Sequence, residues 1–321
     1  MKILPFILPF ILGQLTAASR MPPIRQIFTF PNNTFIEDIA VRSNSDLILT
    51  SESVPTLFSV DPTVSSPTAS ALYTFPNTTG LSGITETSPD TFALVTGIWD
   101  LANTRATSLA VWAIDFNHPT PAIRHVTNIV NSTIFNGIAA VPGSNKLILA
   151  ADSAIGAVWR VNISTGSYEI VFQDPLFLPI DTTPGTNLGI NGIRTKDNFL
   201  YFTNSAQNIF GRVPINRFGA KTGPVEVISS IEVPGGHYDS FAFGREGSTW
   251  IATHPNDVVG VKADGSQVDI KNETLLLNPT SAQFGRGSAA ERRTLYVTNG
   301  GEFVGNDLVN SGVVSVDVRS L

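Results

Sequence analysis

A short apolar–polar–small–apolar step, followed within a few residues by an apolar strand, occurs six times in this chain of 321 residues. The step reads Ile36-Glu37-Asp38-Ile39-Ala40, Leu81-Ser82-Gly83-Ile84, Phe135-Asn136-Gly137-Ile138-Ala139, Ile190-Asn191-Gly192-Ile193, Tyr238-Asp239-Ser240-Phe241-Ala242 and Ala282-Gln283-Phe284-Gly285. The strands that follow run over 47–51, 92–97, 147–152, 200–205, 250–254 and 295–300. A repeat of roughly 45–55 residues suits propeller blades better than helical repeats. The spacing predicts an all-β, six-bladed β-propeller with four antiparallel strands per blade. Six blades place six equivalent residues around one axis, and that axis is where chemistry is expected.

The ends of the chain bear on closure. Residues 24–30 (IRQIFTF) and 313–318 (VVSVDV) both alternate as strands do, and they are expected to share the last blade. Such a pairing leaves no free sheet edge at the seam. With no cysteine, closure cannot rest on a disulfide. Turn signals at Pro142-Gly143, Gly166, Lys196-Asp197-Asn198 and Asp264-Gly265 bound the runs. No helical period is sustained over a dozen residues. Longer connections fall at 99–108 and 174–187; the latter is either a lid or a packed loop.

The first 18 residues read as a signal peptide. Lys2 precedes the apolar run 3–12, and small residues follow at Thr16-Ala17-Ala18-Ser19. The run is too short to span a bilayer. The domain is therefore expected over 19–321, in the secretory pathway, with glycan acceptors at Asn32, Asn77, Asn131, Asn162 and Asn272. Charged residues are 14% of the chain and the net charge is −6 without a basic run, which argues against nucleic acid as a partner. There is no Gly-x-Ser-x-Gly elbow, phosphate loop or dinucleotide fingerprint.

The repeats resemble the gluconolactonase and regucalcin-like propellers over nearly all of the expected mature chain. The best local matches are Ile190-Asn191-Gly192-Ile193 with Leu200 to Ser205, and Asp239-Ser240-Phe241-Ala242 with Gly247 to Ala252. The resemblance implies a divalent metal held by Glu37, Asn191 and Asp239, with Asn136 beside the substrate. Ile190 stands where that family has Pro, and Ser240 where it has Gly. As a whole the chain also resembles fungal propellers of tropolone-sesquiterpenoid pathways, which act as hetero-Diels–Alderases. That resemblance implies cofactor-free chemistry on two small apolar partners, a tropolone and a sesquiterpene.

The residues leave alternatives open. Glu37, Asn136, Asn191 and Asp239 offer oxygen donors suited to Ca²⁺, or else form a hydrogen-bonded polar plug. His237, Tyr238, Asp239 and His254 are candidate catalytic groups, His254 because it ends a second strand at the channel mouth. The alternative for His254 is a structural hydrogen bond to a neighbouring blade. Trp99, Phe177 and Phe303 are candidate apolar walls, with Asn136 and Asn191 as polar contacts to substrate; aromatics in propellers also serve inter-blade packing. Cycloaddition, metal-assisted lactone hydrolysis and non-catalytic binding all remain open at this level.

Overall fold

A computed structural model describes residues 23–132, 134–180, 188–231, 236–245 and 247–318. The expected signal peptide lies outside them, as do residues 181–187 of the long connection. The described residues form six four-stranded antiparallel sheets plus one two-stranded hairpin. The innermost strands of blades 1 to 6 are Ile36–Val41, Gly80–Ser88, Phe135–Ala140, Ile190–Lys196, His237–Phe243 and Pro279–Phe284. Blade 6 is completed from both ends of the chain: Ile24–Thr29 pairs with Gly312–Asp317, with Ile24 opposite Val316 and Thr29 opposite Gly312. The ring closes as the sequence predicts.

Burial explains the order of strands within a blade. The first and second strands of blade 1 are buried along their whole length, whereas its outermost strand, Ala69–Thr74, has no buried residue. An apolar run without alternation can only sit between two packed layers. The hydrophobic clusters accordingly lie between blades: Ile84, Phe92 and Leu94 of blade 2 pack with Ile48 and Leu57 of blade 1. The same holds at the seam, where Val313 and Tyr296 pack with Ile36 and Leu49.

Each innermost strand carries one extra residue near its start, where its register against the second strand slips. These bulges break the period-2 pattern and turn a polar side chain towards the axis. The register also corrects the sixth repeat. Pro279 pairs with Asn299 and Ala282 with Val297, just as Ile36 pairs with Ser51 and Ile39 with Leu49. The sixth step is therefore Pro279-Thr280-Ser281-Ala282, three residues before the one read from sequence.

Hydroxyls at the inner strands tie neighbouring blades. Ser82 Oγ donates to the Phe135 carbonyl at 2.6 Å and Ser153 Oγ to that of Ile190 at 2.6 Å. Ser205 Oγ donates to the Tyr238 carbonyl at 2.7 Å. Below them the axis is crossed. Arg194 of blade 4 reaches Asp38 of blade 1, its opposite in the ring, with Nη2–Oδ1 at 3.2 Å. Asp38 also accepts from Ser281 Oγ, Ile39 N and Ile84 N. That crossing divides the channel. Beneath it lies a cavity of about 400 Å³ walled by Ile84, Phe92, Phe243, Arg194 and Arg286.

Candidate functional site

The mouth of the channel is where the first strands begin and the second strands end. Backbone pairing defines six equivalent positions, each one residue beyond the second-strand partner of Ile36, Leu81, Phe135, Ile190, Tyr238 or Pro279: Glu52, Gly97, Ser153, Ser205, His254 and Gly300. Two of them, Ser153 and Ser205, are the blade-tying hydroxyls. The runs read from sequence over 47–51 and 147–152 end at Ser51 and Asp152, each one residue short of this ring. Glu52 is thus a site residue that sequence reasoning missed. An equivalence counted from strand pairing, rather than from the ends of apolar runs, would have exposed it.

Glu52 is buried, and burial first, then the Asp239 carboxylate, pushes its carboxyl up to about 8. Glu37 on the adjacent inner strand is raised well above its ordinary value by burial and by Glu52, Asp239 and Asp38. Asp239 is pushed up to about 7, with burial again the largest cause. Three carboxyls share one poorly solvated space, and each favours the protonated form of the next.

The histidines lie beside them. His237 and His254 stack with ring centroids 4.0 Å apart, and burial lowers both to about 4. His254 Nε2 lies 3.2 Å from Asp239 Oδ2, and His254 also has a hydrogen bond with Asn278 of blade 6. Asn278 spends its amide N–H on the Gly301 carbonyl, so its oxygen faces the imidazole. His254 is engaged on both sides. It faces the mouth as expected and also makes the inter-blade bond that was its alternative reading, so its imidazole is held between Asp239 and Asn278.

Two oxygens in this space have no donor. Asn191 Oδ1 and Asp239 Oδ1 are both enclosed without a hydrogen-bond partner, although Asn191 Nδ2 is held by Ser205 Oγ at 2.9 Å. Orphaned buried acceptors call for a hydroxyl, an N–H or a cation. Together with Glu37 they form an oxygen set that suits a hard divalent ion. Among the described residues, no three His, Cys, Asp or Glu side chains are grouped so as to hold a metal by themselves, so the amide oxygen of Asn191 and water would have to complete the shell. Asn136 is buried at the equivalent position of blade 3, beside Asn191 of blade 4.

Two expected site residues are elsewhere. Tyr238 is 0% exposed, packs with Phe210 and Phe241 between blades 4 and 5, and directs its hydroxyl to Ser229 at 3.3 Å. It alternates with its channel-facing neighbours and points away from the axis, so it is not positioned as a catalytic group. Phe177 is also 0% exposed and packs edge-on against Phe202 at 4.8 Å. It anchors the segment before residue 181. Tyr238→Phe is expected to cost about 1 kcal/mol in a denaturation experiment and to leave any activity of the channel unchanged.

Loops on the mouth side carry most of the exposed apolar surface. The second and third strands of blade 2 extend as an arm, Thr91–Asp100 with Arg105–Asp115, tipped by a 3₁₀ turn at Leu101–Asn103. It presents Ile98 and Leu101. Blade 6 adds the hairpin Glu302–Val304 with Asp307–Val309, presenting Phe303 at 70% exposure. Between blades 3 and 4, Leu178 and Ile180 stand out on a segment that Asn204 Nδ2 fixes through the Leu176 and Leu178 carbonyls, both at 3.0 Å. With Val130, Val304 and Ile155 these make eight of the twelve exposed large apolar side chains among the described residues. Trp99 is half-buried at the root of the arm. Asn32, Asn77 and Asn131 are exposed, on loops at the same end; Asn162 and Asn272 are partly covered and accept from backbone amides of their own turns.

No protein-family model matches the chain. A Phoma sp. protein named "Putative hetero-Diels-Alderase" is 26% identical over 308 residues, covering 86% of each chain. A Sarocladium schorii protein of the same name is 26% identical over 323 residues, covering 89% of this chain and 80% of its own. Among solved structures, a calcium-binding regucalcin from Agrobacterium tumefaciens superposes with a TM-score of 0.64 at 17% identity, covering 93% of this chain and 96% of its own. A gluconolactonase from Xanthomonas campestris gives 0.60 at 12% identity, covering 94% and 91%. In sequence the chain is similar to proteins named for hetero-Diels–Alder chemistry, and in fold it is a six-bladed propeller of the regucalcin and gluconolactonase kind.

Proposed function

We propose that this protein is a hetero-Diels–Alderase that joins a tropolone-derived ortho-quinone methide to a humulene-type sesquiterpene. The observation that carries this reading is the mouth itself, where loops with exposed apolar side chains stand at the same end as a cluster of buried carboxyls raised well above their ordinary values. An apolar cleft with few polar groups suits terpenoid reactants, whereas a sugar lactone calls for a polar one. Similarity over most of both chains to proteins named for this chemistry supports the reading.

The chemistry divides into two steps. In the first, a hydroxymethyl-tropolone loses water. Glu52 gives its proton to the leaving hydroxyl as the carbon–oxygen bond breaks. Asp239, ionised in part near neutral pH, takes the ring hydroxyl proton on its unpartnered Oδ1. The products are water, a quinone methide, a Glu52 carboxylate and an Asp239 acid. Proton exchange between the two carboxyls, which share one space, restores the start. His254 holds Asp239 in place through Oδ2. In the second step the alkene adds across the heterodiene, forming one carbon–carbon and one carbon–oxygen bond of a dihydropyran. No proton moves, so the protein contributes orientation and exclusion of water. A divalent ion held by Glu37, Asn191 and Asp239 would take up that same Oδ1, and would then supply positive charge to the reactant's ring oxygens in place of the base.

The experiment is incubation of the hydroxymethyl-tropolone with the sesquiterpene, with and without chelator, read by chiral chromatography. Expected is one stereoisomer formed faster than in buffer. A racemic mixture at the buffer rate overturns the reading, and a lactonase screen on apolar lactones then follows.

Stability reports separately on the cation. Glu52 is raised from 4.5 to about 8, so its contribution to stability is full below pH 4.5 and is lost as pH rises through 8. Asp239, raised from 3.8 to about 7, acts in the same direction. His237 and His254, lowered from 6.5 to about 4, oppose it: their contribution is lost as pH falls from 6.5 through 4. A divalent ion would compensate the ionised carboxyls. Ca²⁺ is therefore expected to raise the melting temperature more at pH 8 than at pH 5.5. Equal curves with and without Ca²⁺ at both pH values would remove the metal from the site.

We also propose secretion, with cleavage after about residue 18 and glycans on the exposed Asn32, Asn77 and Asn131 rather than Asn162 and Asn272. Terminal sequencing and peptide mapping of protein from a fungal host check this. Secreted protein that keeps Met1, or glycans confined to the two covered sites, counts against it.

A further inference from the structure

Two ion pairs cross the channel at different depths. The upper joins Arg194 of blade 4 to Asp38 of blade 1. The lower joins Arg286 of blade 6 to Glu86 of blade 2. Strand pairing fixes their order. Ile39 pairs with Leu49 as Ile84 does with Leu94, so Glu86 is equivalent to Val41 and lies farther from the mouth than Asp38. Arg194, Arg286 and Glu86 all line one cavity of about 400 Å³, to which the inner strands of all six blades contribute.

Both arginines have uncommitted donors. A guanidinium carries five N–H groups in a planar fork. Arg194 directs Nη2 to Asp38 and Nη1 to the Ile193 carbonyl, both at 3.2 Å; among the described residues its Nε has no acceptor. Arg286 directs only Nη2, to Glu86. These nitrogens are not sealed in the core, since 15% of the Arg194 side chain and 37% of the Arg286 side chain stay accessible. The carboxylates, by contrast, are well supplied. Glu86 accepts from Arg286 on one oxygen and from the Asp90 N–H at 2.9 Å on the other. Asp38 accepts from four donors, and Arg194 is the most distant of them. Asp38 keeps three closer donors if Arg194 turns to another acceptor.

The rest of the cavity is largely apolar. The half-buried rings of Phe243 and Phe284 face it from blades 5 and 6, with Ile84 and Ala140 opposite. The Thr195 hydroxyl is committed to the Ala140 carbonyl at 2.6 Å. Lys196 Nζ stands 5.2 Å from the centre of the Phe243 ring. With Arg194 and Arg286 it outnumbers the two carboxylates, Asp38 and Glu86, by one positive charge. Such a space suits a monoanion on an apolar body. A carboxylate presents two coplanar oxygens to a guanidinium fork, whereas the second charge of a phosphate would go uncompensated.

We propose that this lower cavity is a second binding site, which takes a small apolar molecule ending in a single carboxylate. The carboxylate oxygens accept from Arg194 and Arg286, and the body lies against Phe243 and Phe284. The site lies across the Arg194–Asp38 bridge from the mouth, and it does not depend on which reaction the mouth performs.

The probe is 2-naphthoate, titrated calorimetrically into the full chain near neutral pH, with 2-naphthamide as its uncharged counterpart and acetate as a head without a body. One naphthoate per chain is expected, with naphthamide and acetate each at least about tenfold weaker. Arg286→Met should weaken naphthoate about tenfold and leave naphthamide within about twofold, because only the charged head uses the guanidinium. Glu86→Gln should act in the opposite direction. It releases Arg286 from its carboxylate, so naphthoate should bind more tightly by about threefold or more. A disturbance of the fold would weaken binding in both variants. Melting curves identify a variant that fails to fold; should Arg286→Met do so, Arg286→Lys replaces it, keeping the charge and losing the fork, with a smaller loss expected. No binding of naphthoate to the wild type overturns the site. So does equal affinity for naphthamide, or unchanged naphthoate affinity in folded Arg286→Met, which would put the ligand elsewhere. Acetate as tight as naphthoate would remove the apolar body from the proposal and overturn it in that form.

Discussion

Glu52→Gln is expected to slow product formation from the hydroxymethyl precursor by about 10²- to 10³-fold, the range of a lost acid–base group. The amide keeps the shape of the side chain and cannot deliver a proton to the leaving hydroxyl. Supplying a preformed quinone methide bypasses that proton, so the variant should then recover the wild-type rate and stereochemistry. The pH profile gives a second view. Reaction from the precursor needs Glu52 protonated, below about 8, and Asp239 ionised, above about 7. The rate should rise through 7, fall through 8, and peak between them, with the two limbs belonging to the coupled pair rather than to either residue. With preformed quinone methide the profile should flatten. Wild-type activity of Glu52→Gln on the precursor would remove Glu52 from the mechanism.

Deleting residues 23–30 should abolish cooperative folding. That strand is the outer edge of blade 6, pairing from Ile24–Val316 to Thr29–Gly312. Ile27 and Phe30 sit in the cluster that packs blade 6 onto blade 1, and Phe30 makes an edge contact with Phe58 at 4.9 Å. Removing two buried large side chains costs about 2–5 kcal/mol each, and the ladder bonds and the edge of Gly312–Asp317 are lost besides. The total approaches the whole stability of an ordinary domain. Circular dichroism should show loss of a single sharp transition. A deletion that melts within a few degrees of the full chain would show that the ring is held elsewhere.

The ring and its closure were legible in the sequence because hydrophobic alternation and turn residues report strands directly. The polar ring at the axis was legible only in part, because the end of an apolar run does not mark which residue stands next beyond the strand pairing. The run 47–51 stops one residue short of Glu52 and left a buried acid out. The sixth step was read onto Ala282 instead of Pro279, since Thr280 and Ser281 look like loop residues. Tyr238 and Phe177 fail for a different reason. Sequence places an aromatic near a site, but which face of the strand it leaves by depends on packing against the next blade, which no local pattern records.

The bridge from Arg194 to Asp38 spans the channel from one blade to its opposite in the ring. In the cycloaddition proposed above, two reactants would enter separately on the mouth side of that bridge, and a single larger molecule would leave by the same side, past the exposed apolar arms. Outward traffic then becomes the slow event. The first turnover on each protein molecule should be faster than those that follow, giving a burst whose size counts the working sites, and added product should compete with both reactants at once.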